Sequence, residues 1–273
     1  MEFPRGVRWF LRGGAVLTMA FLYAPLVIIL IYAFNKTRVQ SWPPSGFTLS
    51  WFDKASHNSG ALDALWVSVK VAMGATLLAL LLGSLAALAL ARFNFFGKGA
   101  ISFLILLPIA LPGIVTGMAL NTTFTQALGS RLGLPTIIIA HATFCIVVVF
   151  NNVIARLRRL AVSLDEAAAD LGAPPFRAFR DITFPQMRSA LIAGALLAFG
   201  LSFDEIVVTT FTAGQQQTLP IWILSNLSRP NNLPVVNVVA LFVILLSIVP
   251  VYVAQRLTAD PVAMAPSAGT ASA

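Results

Sequence analysis

Charge is scarce in this sequence: only 10% of its 273 residues are Asp, Glu, Lys or Arg, whereas 58% are hydrophobic. A soluble domain needs a polar surface and carries about 25% charged residues. Several apolar windows also exceed the roughly 18 residues expected of a membrane span. The shortage of charge therefore excludes a soluble globular protein and predicts an integral membrane protein surrounded by membrane lipid.

Cysteine and histidine are almost absent as well. The single cysteine, Cys145, rules out an intramolecular disulfide, and its apolar surroundings are typical of a small buried side chain. With only two histidines, a metal site made of protein ligands is not expected. Gly97-Lys98 lacks the earlier glycine and the following hydroxyl residue of a Walker A sequence. We therefore expect a non-catalytic chain that holds no cofactor and hydrolyses no ATP itself.

Apolar segments long enough to span a membrane recur along the chain, and each must be helical because an isolated strand leaves its backbone unpaired in lipid. They lie near Ala15–Phe34, Leu65–Ala91, Ile101–Leu120, Leu134–Ala155, Leu191–Thr212 and Val235–Ala254. The sequence thus predicts an all-α membrane domain of six transmembrane helices over residues 1–260. The small-residue stretch 261–273 is expected to be a disordered tail.

The basic residues predict the orientation of these spans. If the N-terminus lies inside, the inner loops carry Arg5, Arg8, Arg12, Arg92, Lys98, Arg156, Arg158, Arg159, Arg177, Arg180, Arg188 and Arg256. This positive-inside bias places both termini in the cytoplasm and explains the formal net charge of +8 without a nucleic-acid partner. No cleavage site follows the first apolar run, so we expect an uncleaved first helix.

The third segment contains Pro108, Pro112, Gly113 and Gly117. Proline removes a backbone donor and clashes with the preceding turn, so this helix is expected to be kinked. Two interpretations are open: a partly unwound helix beside protein or a water-filled cavity, or an ordinary bent packing helix.

The loop between the fourth and fifth segments, residues 156–188, is strongly amphipathic. Ser163 and Glu166 form a capping box that favours a helix start, and apolar side chains then recur at helical spacing. Gly172 suits the left-handed residue that ends a helix, and Pro174 prevents the helix from continuing. A second short turn, Phe176–Asp181, follows and presents aromatic and arginine side chains, which are typical of a protein-docking surface.

This loop resembles the EAA loop of ABC importer permeases. Glu166-Ala167-Ala168, Gly172, Ile182 and Phe184-Pro185 match its spacing, with Phe184 where leucine is usual. The resemblance implies a type I permease fold in which this coupling helix docks on a separate ATPase subunit. The residues implied in coupling are Glu166, Ala167, Ala168, Gly172, Ala173, Pro174, Phe176, Arg177 and Phe179. The alternative is a generic amphipathic cytoplasmic linker.

Three further stretches, residues 106–117, 141–152 and 202–214, resemble the polyamine branch of these permeases. The resemblance implies a second homologous permease, two ATPase subunits that bind ATP and Mg, and a periplasmic solute-binding protein. The solute implied is a small organic cation such as putrescine or spermidine. The alternatives are another amine, an opine or an amino-acid-like solute in the same importer class.

Asp204 and Glu205 are the acids placed inside a predicted span, where an ionised carboxylate costs about 3 kcal/mol unless it faces a cavity or a partner. Ser202, Glu205 and Thr209 would share one polar stripe on a continuous helix, together with Thr212. We expect Glu205 to line the solute path, with Asp204 divided between path and packing. Alternatively, both acids lie at the outer interface, solvated or paired with Arg229 or Arg131.

Other polar and aromatic residues admit two roles. Trp222 could stack on an ammonium group or could belong to the interfacial aromatic belt. His141, Asn151 and Asn152 could line the path or bond neighbouring helices.

A six-span channel would require filter-like repeats, and a secondary transporter an internal repeat with coupling-ion acids. Neither feature is evident in this sequence.

Overall fold

The computed structural model describes residues 4–159, 167–168 and 170–258. Its α-helices are α1 (Arg5–Ala33), α2 (Ser50–Ser56), α3 (Ser59–Arg92), α4 (Lys98–Ala110), α5 (Gly113–Thr122), α6 (Leu134–Leu157), α7 (Pro175–Ala178), α8 (Phe184–Phe203), α9 (Val207–Thr212), α10 (Leu219–Leu227) and α11 (Leu233–Thr258). The described residues also contain two π-helical segments, Thr123–Ala127 and Phe179–Thr183, and a 3-10 turn at Pro230–Asn232. Within these ranges there is no strand, and the all-α prediction is confirmed. The predicted tail 261–273 lies outside the described residues.

Among the described residues, four helices are long and apolar enough to cross a membrane: α1, α3, α6 and the helix Pro175–Phe203. The pair α4 and α5 adds a fifth if it is counted as one broken span. In α11 the apolar part, Leu233–Ile248, is shorter. The count of six spans and the inside location of both termini stay predictions.

The third predicted span is broken. Between α4 and α5 the helix axis turns by 103°. Leu111, which precedes Pro112, has φ −81° and ψ 142°, the extended conformation that a following proline imposes. The kink expected from the prolines is therefore present, as a full change of helix direction.

The fifth predicted span also differs from a single helix over Leu191–Thr212. α8 ends at Phe203, and α9 begins only at Val207. The carboxylate of Glu205 accepts a hydrogen bond from the Val208 N–H at 2.9 Å, and this bond caps the start of α9. We call residues 204–206 the helix break.

The described residues group into two compact units. The first contains the described residues up to Asp63 together with Ile221–Leu246, and the second contains those of Ala64–Pro220 together with residues 247–258. In the first unit, the Trp51 indole donates to the Asn35 carbonyl at 2.8 Å and fixes the loop after α1.

α6 forms the core of the second unit, where it packs against α8, α4 and α9. Many of its buried side chains are small or β-branched, among them Ala140, Cys145, Val147, Val149 and Val153, each 0% exposed. Small residues such as Ala193 and Ala198 line the facing side of α8 and permit the close approach of helices that membranes favour. The core therefore holds α8 and α9 in place on both sides of the helix break.

Candidate functional site

We call residues 167–168 and 170–183 the elbow. Glu166 of the predicted capping box lies outside the described residues. The Ala167 carbonyl accepts the Leu171 N–H at 3.1 Å, and the Ala168 carbonyl accepts the Ala173 N–H at 2.9 Å. Gly172 has φ 76°, so the left-handed helix stop that the sequence predicts is present.

After this stop, the chain does not form the isolated second turn predicted at Phe176–Asp181. Pro174 is extended, and the helix that starts at Pro175 continues through the π-helical segment Phe179–Thr183 into α8. The result is one helix, Pro175–Phe203, of 29 residues. The elbow is thus continuous with a membrane helix.

Pro185 explains the π-helical segment. Its ring has no N–H and would clash with the carbonyl four residues earlier in a regular α-helix. The Phe184 N–H instead bonds to the Phe179 carbonyl, five residues back. The wider turn keeps the helix continuous through a proline.

The elbow exposes an apolar edge with a small groove. Leu171 is 88% exposed and Phe176 is 74% exposed. A cavity of about 360 Å³ lies against Ala167, Ala168, Leu171, Ala173, Arg177, Ala178, Asp181 and Ile182. Phe179 differs from the prediction: it is half-buried against the core of the second unit, so only Phe176 of the two aromatics is presented outward.

The charged side chains of Arg177, Arg180 and Asp181 in the elbow pair with one another. Arg180 Nε lies 2.8 Å from Asp181 Oδ1, and Arg177 Nε lies 3.6 Å from Asp181 Oδ2. The hydrogen bond from Arg180 holds the pKa of the Asp181 carboxyl below its usual value, and Arg177 adds to the effect. At neutral pH the elbow therefore carries an ionised, exposed Arg–Asp–Arg cluster.

Two arginines at span ends form hydrogen bonds near the start of α8, a role that sequence reasoning missed because only their positive charge is visible there. Arg92, the last residue of α3, donates to Thr183 Oγ1 at 2.7 Å. Arg156, at the end of α6, donates Nε–H to the Gln186 carbonyl at 2.9 Å. The base of the elbow is thus bonded to the ends of two other helices.

At the helix break, Ser202 and Thr209 converge on His141 of α6. Ser202 Oγ lies 2.8 Å from His141 Nδ1, and Thr209 Oγ1 lies 2.8 Å from His141 Nε2. All three side chains are buried, with 3% exposure for Ser202 and 0% for the other two. His141 therefore bonds neighbouring helices, one of the two roles left open for it.

The two acids stand apart from this buried group. Asp204 is exposed and Glu205 is half-buried, within the break itself. A carboxylate offers about four acceptor positions, so the single bond from Val208 leaves Glu205 with capacity for an ammonium group.

α5, the helix after the first break, packs along α9. Asn121 Nδ2 donates to the Phe211 carbonyl, and a Cβ at Gly117 would lie 2.7 Å from the Phe211 ring. Thr212, whose hydroxyl donates within α9, has its carbonyl bonded by Thr136 at 2.8 Å. The two broken spans of the second unit therefore meet through their short helices.

Trp222 belongs to α10 in the first unit. Its side chain is 5% exposed, and its carbonyl accepts bonds from Ser225 and Asn226. Asn152 donates to the Val148 carbonyl of its own helix at 2.9 Å, and Asn151 is exposed. A solute-facing role for Trp222 stays a prediction.

Residues 79–260 match the family described as binding-protein-dependent transport system inner membrane component. The putrescine transport system permease protein PotI of Escherichia coli (strain K12) is 36% identical over 238 residues, covering 84% of this chain and 83% of that protein. The spermidine/putrescine transport system permease protein PotC of the same strain is 36% identical over 253 residues, covering 92% and 94%.

Solved structures share the fold. A chain of a bacterial ABC transporter involved in the import of the acidic polysaccharide alginate superposes with a TM-score of 0.68 at 18% identity, covering 94% of this chain and 99% of that chain. A chain of an amino acid ABC transporter superposes with a TM-score of 0.59 at 15% identity, covering 77% and 98%. With the family match and these relatives, the chain belongs to the binding-protein-dependent transport system inner membrane component family, as a multi-pass, non-catalytic permease of an ABC importer.

Proposed function

We propose that this chain is the permease of an ATP-driven importer that moves a polyamine such as putrescine or spermidine from periplasm to cytoplasm. The observation that carries the proposal is the 36% identity, over most of the chain, to two permeases named for putrescine and spermidine transport. The adjacent carboxylates at the helix break supply the matching chemistry.

The path is proposed to pass the helix break. Asp204 is exposed there and Glu205 is half-buried, so both carboxylates are accessible to a solute from the open side of the break. Two adjacent negative charges attract a di- or polyammonium ion, whereas their electrostatic attraction for a neutral sugar is small. The charge pair therefore favours cations over neutral solutes.

Coupling is proposed to run through the elbow, on the cytoplasmic side. Its exposed apolar edge, Leu171 and Phe176, and its groove are suited to a cleft on a separate ATPase subunit that binds ATP and Mg. Closure of the two ATPase subunits would move the elbow, and the helix continuous with it would open the path toward a docked periplasmic binding protein. Hydrolysis would reset the path inward. A second homologous permease would complete the membrane part.

The test is uptake and ATPase activity of the whole complex in lipid vesicles, with its binding protein and a panel of amines. Putrescine or spermidine should stimulate ATP hydrolysis and accumulate inside. Glu205→Gln removes the charge but keeps an oxygen for the Val208 N–H, and it should lower polyamine uptake about tenfold or more. Asp63→Asn removes an exposed acid elsewhere and is the matched control.

Stimulation by another amine, an opine or an amino acid would support the assignment as an importer but would overturn the proposal that its solute is a polyamine. Polyamine uptake that is unchanged in Glu205→Gln would overturn the proposal that the solute path passes the helix break. Uptake without ATP would favour a channel or a secondary transporter.

A further inference from the structure

A helix break leaves two helix ends that can turn relative to each other unless something ties them together. Here α8 closes with the Asp204 N–H on the Gly200 carbonyl at 3.2 Å, and α9 opens with the Thr210 N–H on the Ile206 carbonyl at 2.9 Å. Neither of these backbone bonds crosses from one helix to the other. The geometry of residues 204–206 therefore depends on contacts made by side chains.

α6 contacts this region at three levels. Cys145 Sγ approaches the Ala198 carbonyl at 3.4 Å within α8, and Thr136 donates to the Thr212 carbonyl within α9. Between them, the ring of His141 bonds Ser202 in the last turn of α8 and Thr209 in the first turn of α9. Of these three side chains, His141 is the one that joins both sides of the break.

The hydrogen positions in this group follow from its distances. Thr209 Oγ1 lies 2.8 Å from the Glu205 carbonyl, which can only accept, so the single Thr209 hydrogen is used there. His141 Nε2 must then donate to Thr209, and a neutral imidazole that donates from Nε2 accepts at Nδ1. Ser202 therefore donates to Nδ1, and each polar hydrogen of these three side chains has one acceptor.

The chain of bonds runs in one direction, from the Ser202 hydroxyl through the His141 ring and the Thr209 hydroxyl to the backbone carbonyl of Glu205. Its side chains are buried, so water does not compete for these bonds. In such surroundings a polar group without a partner is costly, and a fully satisfied network is rigid.

We propose that His141, as the neutral Nε2–H tautomer, is a positioning residue that ties α8 to α9 and holds the Glu205 backbone in place for the passing cation. The role of the cation rests on the proposed function; the tie itself rests on the geometry. Without the hydrogen bonds of His141, α8 and α9 could rotate relative to each other, and the carboxylates of Asp204 and Glu205 would no longer hold fixed positions.

Two pairs of variants separate hydrogen bonding from size. Thr209→Val keeps the shape but loses both hydroxyl bonds, whereas Thr209→Ser keeps them. His141→Leu loses both ring bonds, whereas His141→Gln can still accept from Ser202 and donate to Thr209 through its amide. Thr210→Val is the matched control, because Thr210 is exposed and its hydroxyl bonds only the Ile206 carbonyl in the described contacts.

Polyamine moved per ATP hydrolysed should fall about tenfold in Thr209→Val and His141→Leu. It should stay within about twofold of the parent in Thr209→Ser, His141→Gln and Thr210→Val. If His141→Leu does not assemble, the Thr209 pair still decides the matter. Equal transport by Thr209→Val and Thr209→Ser in an active complex would overturn the proposal.

A measurement that does not depend on transport tests the hydrogen bonds of His141 separately from the proposed solute. The full chain, labelled with 15N-histidine and carrying His57→Gln, has a single imidazole to observe in lipid bilayers by solid-state NMR. We expect an unprotonated Nδ1 and a protonated Nε2 whose resonance shifts in Thr209→Val but not in Thr210→Val. A Nδ1–H tautomer, or no response to Thr209→Val, would overturn the tie. A complex that moves no polyamine while showing these signals would overturn the proposed function alone.

Discussion

At the elbow, the charged side chains of Arg177, Arg180 and Asp181 are exposed and pair with one another on the same helix. At the helix break, the polar side chains of Ser202, His141 and Thr209 are neutral and buried, and they bond across three helices. Exposed ion pairs contribute little to stability, whereas buried hydrogen bonds are costly to remove. The elbow therefore owes its shape to the backbone, and the break owes its shape to side chains.

The largest effect should come from the backbone of the elbow. Gly172→Val places a β-branched residue at φ 76°, although no heavy atom lies within 4 Å of the new Cβ position. The cost is conformational, about 1–2 kcal/mol or more, and it acts on the helix stop itself. Uptake is expected to be lost while membrane insertion and subunit assembly stay normal.

Gly129→Val is the matched control, since Gly129 has φ 59° and the same open surroundings but lies outside the elbow. Gly172→Asn should recover part of the uptake, because asparagine tolerates the left-handed region better. Normal uptake in Gly172→Val would show that the stop does not matter for coupling.

An intermediate effect is expected where the elbow joins the spans. Arg156→Gln weakens the bond to the Gln186 carbonyl, and hydrogen bonds to charged groups contribute about 1.5–3 kcal/mol. The start of α8 should then move independently of the end of α6. Motion of the elbow would be transmitted less well to the spans, so the amount of solute moved per ATP should fall about tenfold. ATP hydrolysis itself should persist.

Arg158→Gln removes the same charge two residues away, at an exposed position, and should leave this ratio unchanged. Equal loss in both variants would assign the effect to net charge at this surface. Measurement of uptake and hydrolysis on the same vesicles gives the ratio directly.

The smallest effect is expected from the exposed charges. The lowered pKa of Asp181 means that its pairing is present above the usual carboxyl pKa and is lost as pH falls through the lowered value. Asp181→Asn should leave the thermal unfolding midpoint of the complex unchanged near neutral pH, in low and in high salt. A clear drop in the midpoint at low salt would show that the elbow depends on its charges after all.

Helix ends that are set by a local glycine or proline could be predicted from the sequence. Gly172 and the prolines after it specify a stop that needs no distant partner, and Pro112 specifies a break for the same reason. The angle of 103° at that break could not be predicted, since it depends on the packing of α5 against α9. Local chemistry thus fixes where a helix ends, and packing fixes its new direction.

The second break was missed because its residues also suit a continuous helix. Ser202, Glu205 and Thr209 have helical spacing, so the polar stripe has the same appearance whether or not the helix is interrupted. The interruption depends on the Glu205 carboxylate turning back to the Val208 N–H and on His141 from another helix. Neither contact has a sequence pattern of its own.

The inward position of Phe179 has a similar cause. A π-helical turn adds one residue to the helix, which rotates the residues before it by about 100° relative to those after it. Pro185 was visible in the sequence, but its effect on Phe179 follows only once the helix is known to continue through the proline. The bonds of Arg92 and Arg156 to the base of α8 are likewise long-range.

The helix Pro175–Phe203 begins in the elbow and ends at the helix break, so the two regions are opposite ends of one lever. At about 1.5 Å per residue, its 29 residues extend about 43 Å. A rotation of about 10° about its midpoint displaces each end by about 4 Å, in opposite directions. A push at the exposed end would then reach Asp204 as a sideways step of atomic size, carried by one continuous helix.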